Sequence, residues 1–271
     1  MRTIAHISDL HFGRIDLRVC EALLADLESL APSLVAVSGD LTQRARRREF
    51  AAARAFLARL SAPTLCVPGN HDVPLYDVMR RFASPLARYR RYITSDLSPL
   101  YLDDEMAVLG INTARSLTFS GGRISVEQIA HAKRHLCAIA PDRVKAVVTH
   151  HQFLAAPGDP TPDLVGRAPD ALRALEACGV ELLLAGHAHV AYTGDVRSAH
   201  VAVQRSILVV QAGTATSTRT RSEANSYNVV TVDDGHVSVL VREWAGAAFV
   251  DARRTDFVRR GHEWLVEPHH R

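Results

Sequence analysis

Five short apolar segments in the first 190 residues each run into a turn that carries aspartate, asparagine or histidine. Residues 3–7 lead to Asp9 and His11, residues 34–37 to Ser38-Gly39-Asp40, and residues 64–67 to Gly69-Asn70-His71-Asp72. Residues 144–149 lead to His150 and His151, and residues 180–185 to Gly186-His187-Ala188-His189. Stretches with helical spacing lie between them. Residues 16–30 space Leu17, Cys20, Leu23, Leu24, Leu27 and Leu30 along one face, and residues 46–60 keep a similar period in an Ala- and Arg-rich run. Residues 125–140 open with Ser125 and Gln128 at the spacing of a capping box. Residues 168–179 end on Gly179. Strands that alternate with helices predict a parallel α/β sheet, and such sheets bind ligands beyond the carboxyl ends of their strands. All five polar turns then fall on that edge.

The pattern changes after residue 190. Residues 201–203, 207–211, 227–232 and 237–243 read as strands with no helix between them. Residues 105–112 add another strand, residues 75–91 are helical in part, and the polar close at 267–271 reads as a loose tail. The expectation is α/β followed by a run of β in one layered sandwich. The chain is read as a single domain, 1–271, β-rich from about 195. That β-rich part either completes a second sheet or pairs with another subunit as a homodimer.

With 47% hydrophobic and 23% charged residues, the chain can bury a sizeable core. A net charge of +3 permits anionic substrates without demanding nucleic acid. The clusters at Arg44, Arg46, Arg47 and Arg48, and at Arg80, Arg81, Arg88, Arg90 and Arg91, read as solvated helix faces. Aromatics at 6% offer few stacking platforms for a single strand. Cys20, Cys66, Cys137 and Cys178 lie far apart with no Cys-x-x-Cys pair, which fits a reduced cytoplasmic setting and not a disulfide framework. No apolar run behind a basic flank opens the chain. Nor does any run approach the about 20 apolar residues of a membrane span.

Asp9, His11, Asp40, Asn70, His150, His187 and His189 provide enough hard and borderline donors for two metal ions. Asp40 can bridge them, since a carboxylate has two oxygens. Mixed His, Asp and Asn donors suit Mn, Fe or Zn better than Ca²⁺. Two adjacent ions imply hydrolysis, most often of a phosphate ester, with a metal-held hydroxide as nucleophile. His71 then remains as a proton donor to the phosphoryl or leaving oxygen, with Asp72 to orient it.

The ordered blocks D-x-H, G-D, G-N-H-[DE], H and G-H-x-H resemble the signature of the calcineurin-like metallophosphoesterase superfamily, and they span residues 9–189. The resemblance implies two mixed sheets flanked by helices. It also implies one metal held by Asp9, His11, Asp40 and His189 and a second held by Asp40, Asn70, His150 and His187. His71 would be the outer-sphere acid, backed by Asp72. His150 is preferred over His151 as the first histidine after its strand, and Gln152 stands where relatives often have Pro. Within the superfamily the chain is similar to bacterial class III cyclic-nucleotide phosphodiesterases and glycerophosphodiesterase-like relatives, which implies small phosphodiester substrates such as 3′,5′-cyclic nucleotides. Arg14, the stretch 112–115 and the loop 214–221 are candidate substrate loops, with Arg115, Arg219 or Arg221 to clamp a phosphate. The alternatives are a pyrophosphohydrolase of a lipid-linked nucleotide sugar, for which Leu75, Tyr76, Val78, Met79 and Phe82 would line a groove, a DNA nuclease, or a scaffold without activity.

Overall fold

A computed structural model describes residues 1–118, 120–156, 163–198, 203–218 and 223–268. Its first half runs β1 (Arg2–Ile7), α1 (Leu17–Leu30), β2 (Leu34–Val37), α2 (Arg47–Leu57), β3 (Thr64–Cys66), α3 (Val78–Ala83), α4 (Ala87–Tyr92), β4 (Leu100–Leu102), β5 (Met106–Gly110) and α5 (Val126–Leu136). The second half runs β6 (Val144–Val148), α6 (Ala168–Ala177), β7 (Val180–Ala185), β8 (Tyr192–Asp195), β9 (Leu208–Gln211), β10 (Ser226–Asp233), β11 (His236–Trp244), β12 (Phe249–Arg260) and β13 (Glu263–Glu267).

The strands form two mixed sheets, ordered β13-β12-β11-β10-β1-β2-β3 and β4-β5-β6-β7-β9-β8. In the first, β1, β2 and β3 are parallel, with Ile4 opposite Leu34 and Val35 opposite Thr64, while β10 joins β1 antiparallel. In the second, β5, β6, β7 and β9 are parallel, and β4 and β8 close the edges antiparallel. The segment 34–37 is apolar throughout because both its faces are covered. Leu34 and Ala36 join the core between the sheets with Met106, Val148, Leu182 and Val210. Val35 and Val37 pack outward with Leu23 and Leu27 of α1 and Phe50 of α2. The outer face of the second sheet is covered in the same way by α5 and α6. The layers are therefore helix, sheet, sheet, helix, the α/β sandwich the sequence implies.

Local chemistry sets the helix starts. Asp16 caps α1 by accepting from the Arg18 N–H, and Ser125 and Gln128 form the expected capping box at α5. The stretch 75–91 divides into α3 and α4. β4, β8, β12 and β13 are strands that the sequence pattern did not predict. Residues 201–202 lie outside the described residues, and Val203 is in a loop. Of the expected loose tail, Glu267 belongs to β13, and residues 269–271 lie outside the described residues. The β-rich part supplies both sheets: β9 enters the second, and β10 to β13 extend the first.

The cysteine expectation is corrected. Cys137 and Cys178, each the residue following its helix, are joined by a disulfide, with Cα atoms 4.4 Å apart. Helices α5 and α6 pack side by side on one sheet face, which brings together two cysteines separated by 41 positions. Disulfides persist in oxidising compartments, so cysteine usage no longer argues for a cytoplasmic setting. Among the described residues, no helix is long and apolar enough to cross a membrane.

Candidate metal centre

The turns beyond β1, β2, β3, β6 and β7 meet at one end of the sandwich. Their backbone is unusual: Asp9, His11, Asp40, His187 and His189 all have φ between 50° and 70°. Side-chain-bearing residues seldom adopt this left-handed conformation, which costs on the order of 1–3 kcal/mol each and persists where the surroundings over-determine it. Two motif glycines are required by close approach. A Cβ on Gly69 would lie 2.0 Å from Asp40 Oδ1, and one on Gly186 would lie 1.9 Å from Ser8 Oγ.

Two donor groups result, with Asp40 between them. In the first, Asp9 Oδ1 lies 3.5 Å from His11 Nε2 and 3.6 Å from His189 Nε2. In the second, His150 Nε2 lies 3.0 Å from Asn70 Oδ1 and 3.3 Å from His187 Nδ1. Asp40 turns Oδ2 toward His11 Nε2 at 3.8 Å and Oδ1 toward His150 Nε2 at 3.5 Å. Asp9 Oδ1 and His11 Nε2 are fully buried and make no hydrogen bond. Buried polar atoms without partners are rare, and these two face each other as ligands around an ion would. The donors therefore fit metal ions, and the chemistry of the set suits transition metals.

Other groups fix the imidazole tautomers. The Nδ1–H of His150 donates to the Ser38 carbonyl at 2.8 Å, which turns Nε2 toward the donor cluster. His189 Nδ1 lies 2.7 Å from the Thr214 hydroxyl, with Nε2 toward Asp9. The Nδ1–H of His71 donates to the Gln43 carbonyl at 2.9 Å, and the His71 N–H donates to Asp40 Oδ1 at 2.8 Å.

The electrostatics favour cations. Burial pushes the carboxyls of Asp9 and Asp40 up. The histidines around them outweigh it, chiefly His189 at Asp9 and His150 at Asp40, and hold both well below the ordinary carboxylate range. Burial lowers His150, but Asp40 and Asp9 carry it up to about 9. Burial and the His150 charge drop His187 to about 4. Burial is the largest influence at His151 as well, and with His150 and His187 it holds that ring well below its usual value.

All seven donors read from the sequence are thus brought together, with His71 beside them. His151 lies next to His150 and His187, but Thr113 Oγ1 at 2.7 Å and the Ser120 carbonyl at 2.6 Å engage its two nitrogens. The role given to Asp72 is corrected. Its carboxylate accepts from the N–H groups of Leu41, Thr42 and Gly69 and from the Thr42 hydroxyl, so it ties the Asp40 turn to the His71 turn. The Gln43 carbonyl orients the His71 ring instead. Buried Gln152 accepts from the Val165 N–H through its backbone carbonyl. Arg115 is not free to clamp a phosphate, since Gln128 and the Ala114 carbonyl engage its guanidinium. Arg14 is exposed beside the first turn, and Arg219 and Arg221 lie outside the described residues. Arg81 is buried rather than solvated.

Sequence reasoning missed Ser38, Gln43 and Asp163, whose Oδ2 lies 3.6 Å from His187 Nε2. It placed Thr214 only in a substrate loop. Thr214 follows the carboxyl end of β9, so the strand-end rule that found the other donors also reaches it.

Fold and donor set together define a helix–sheet–sheet–helix metalloprotein with its site at the strand carboxyl ends. The family model for calcineurin-like phosphoesterases matches residues 2–191, and the chain belongs to that family. Over 80 residues it is 40% identical to the glycerophosphodiester phosphodiesterase GpdQ of Enterobacter lignolyticus, a match that spans 26% of this chain and 29% of that protein. Its fold is similar to that of a purple acid phosphatase from yellow lupin (TM-score 0.70, 11% identity, 92% of this chain and 52% of that one). It is also similar to a dimetal phosphatase from Danio rerio (TM-score 0.66, 13% identity, 92% of this chain and 98% of that one).

Proposed function

We propose that the protein is a dimetal-dependent hydrolase of small phosphodiesters, working as one domain over residues 1–271. The observation that carries this is Asp40, which turns one carboxylate oxygen to each of two donor groups. Asp9, His11, Asp40 and His189 would hold one ion, and Asp40, Asn70, His150 and His187 the other. Mn, Fe and Zn fit these donors. When bound, two such ions supply Lewis acidity toward the phosphoryl oxygens and a water of lowered pKa.

The chain's own residues do the rest. The carboxylates of Asp9 and Asp40 supply the negative charge that makes the pocket a cation site. His71 keeps its Nδ1–H on the Gln43 carbonyl, so in the doubly protonated ring the Nε2–H is the proton that can pass to the leaving oxygen. Asp72 holds the Asp40 and His71 turns at a fixed separation. The GpdQ match supports glycerophosphodiesters as first substrates to try, and the motif resemblance supports 3′,5′-cyclic nucleotides.

A hydrolysis panel on Mn²⁺-loaded protein tests the reading. It compares bis(p-nitrophenyl) phosphate, p-nitrophenyl phosphate, 2′,3′- and 3′,5′-cyclic AMP, a glycerophosphodiester and a nucleotide-sugar pyrophosphate. Diester turnover is expected, with His71→Ala lowering kcat by about 10²–10⁴-fold at unchanged metal content. A metal-loaded protein that cleaves no diester would sink the proposal.

A further inference from the structure

Five large apolar side chains stand exposed in one region just past the His71 turn. Tyr76, Val78, Met79, Phe82 and Leu117 are each between 57% and 85% exposed. The two segments that carry them are joined by Arg81, which is itself only 3% exposed. Its guanidinium donates to the carbonyls of Pro74, Ser116 and Thr118, which ties the segment around α3 to the loop that carries Leu117. Large apolar side chains gathered in one exposed region mark an interaction surface.

Its surroundings are basic. The Arg44 guanidinium lies 5.4 Å from the centre of the Tyr76 ring. Arg47 and Arg80 lie close enough to Arg88 for their charges to lower its pKa, after burial as the larger cause. Asp77 is the one acid between residues 73 and 92, and it is ion-paired with Arg80 at 2.9 Å and Arg88 at 3.9 Å. A second copy docked on this face would oppose one arginine rim to another. Apolar side chains ringed by cations instead match an interface of acyl chains under anionic headgroups.

We propose that this surface docks the protein on an anionic phospholipid bilayer. Met79, Phe82 and their neighbours enter the headgroup boundary, while Arg44, Arg47 and Arg80 face the lipid phosphates. The inference requires no turnover and so stands apart from the phosphodiesterase reading.

Co-sedimentation of the full chain with vesicles is the test, with phosphatidylcholine alone against phosphatidylcholine mixed with phosphatidylglycerol. Binding is expected on the anionic vesicles, weak on the neutral ones, and reversed by salt. The double variant Met79→Asp/Phe82→Asp should lose it. Arg44→Gln/Arg80→Gln should weaken it about thirtyfold, taking about 1 kcal/mol per arginine and about 1.4 kcal/mol per factor of ten. Unchanged thermal melting and unchanged bis(p-nitrophenyl) phosphate turnover would place the loss at the surface. Vesicle binding without any turnover would count against the enzyme reading alone. Failure to bind anionic vesicles, equal binding to both compositions, or binding retained by the aspartate variant would overturn the docking proposal. So would a concentration-dependent dimer that the aspartate variant disperses in the absence of vesicle binding, since the patch would then belong to a second copy.

Discussion

A histidine ligand is only as good as the group that fixes its other nitrogen. For His189 that group is the buried Thr214 hydroxyl, 2.7 Å from Nδ1. Thr214→Val keeps the shape and removes the partner, so metal affinity should fall about 10–100-fold. The loss should fall on one of the two ions, which metal titration resolves as a single weakened step. His6 shows how burial alone sets a proton balance. The ring lies fully buried beneath the site, with Nε2 2.9 Å from Ser38 Oγ, and burial lowers it to about 3 against the opposing charge of Asp9. Between about 3 and the ordinary 6.5, the unfolded chain therefore binds a proton that the native state does not. Stability is full above 6.5 and falls as pH drops through that window, by about 1.4 kcal/mol per pH unit from this residue. Urea unfolding of the metal-free protein at a series of pH values should show a shallower slope in His6→Leu. At this scale the donors were legible because aspartate and histidine after a strand are chemically conspicuous. Ser38 and Gln43 were not, since they act through backbone carbonyls that every residue has. Asp72 misled because adjacency in sequence to His71 did not become contact between the side chains.

Elements were legible where their pattern was strong. The segments 34–37 and 180–185 are apolar throughout and became strands buried on both faces, and Ser125 with Gln128 marked the start of α5. β12 was not, because Val-Asp-Ala-Arg-Arg-Thr-Asp has little apolar alternation; it is held by pairing between β11 and β13 rather than by burial. The disulfide escaped for a similar reason, since only tertiary packing of α5 on α6 makes Cys137 and Cys178 neighbours. That bond closes a loop of 41 positions. By loop-closure entropy it should stabilise the fold by about 4 kcal/mol. Cys137→Ser, or reductant added to the native protein, should lower the urea midpoint accordingly without changing turnover. A midpoint that ignores reductant would show that the bond constrains nothing the packed helices do not already hold.

The site belongs to neither sheet alone. Asp9, Asp40 and Asn70 follow β1, β2 and β3 of the first sheet, and His150, His187 and His189 follow β6 and β7 of the second. Protein contacts already cross the seam there: the His150 ring donates to the Ser38 carbonyl, and the His187 N–H donates to Asp9 Oδ2 at 3.1 Å. The ordered spacing of the five motifs made this convergence legible, because strand order along a sheet is what brings distant turns to one edge. The division of strands between the sheets was not, as nothing local tells β9 to enter one and β10 the other. Ions bound across the seam must stabilise the whole molecule, since they bind a geometry that the unfolded chain lacks. Two ions, each at about a hundred times its Kd, would contribute about 5 kcal/mol. For a chain of this size that is a rise of roughly 10–20 °C in Tm. Calorimetry of chelated and Mn²⁺-reloaded protein should show that rise as a shift of one cooperative transition, because the carboxyl ends of both sheets are clamped together. Asp40→Asn, which weakens the shared ligand, should remove most of it. If the metal-free and reloaded proteins melt together, the two donor groups do not hold ions between the sheets, and the assignment of Asp40 as their bridge fails with them.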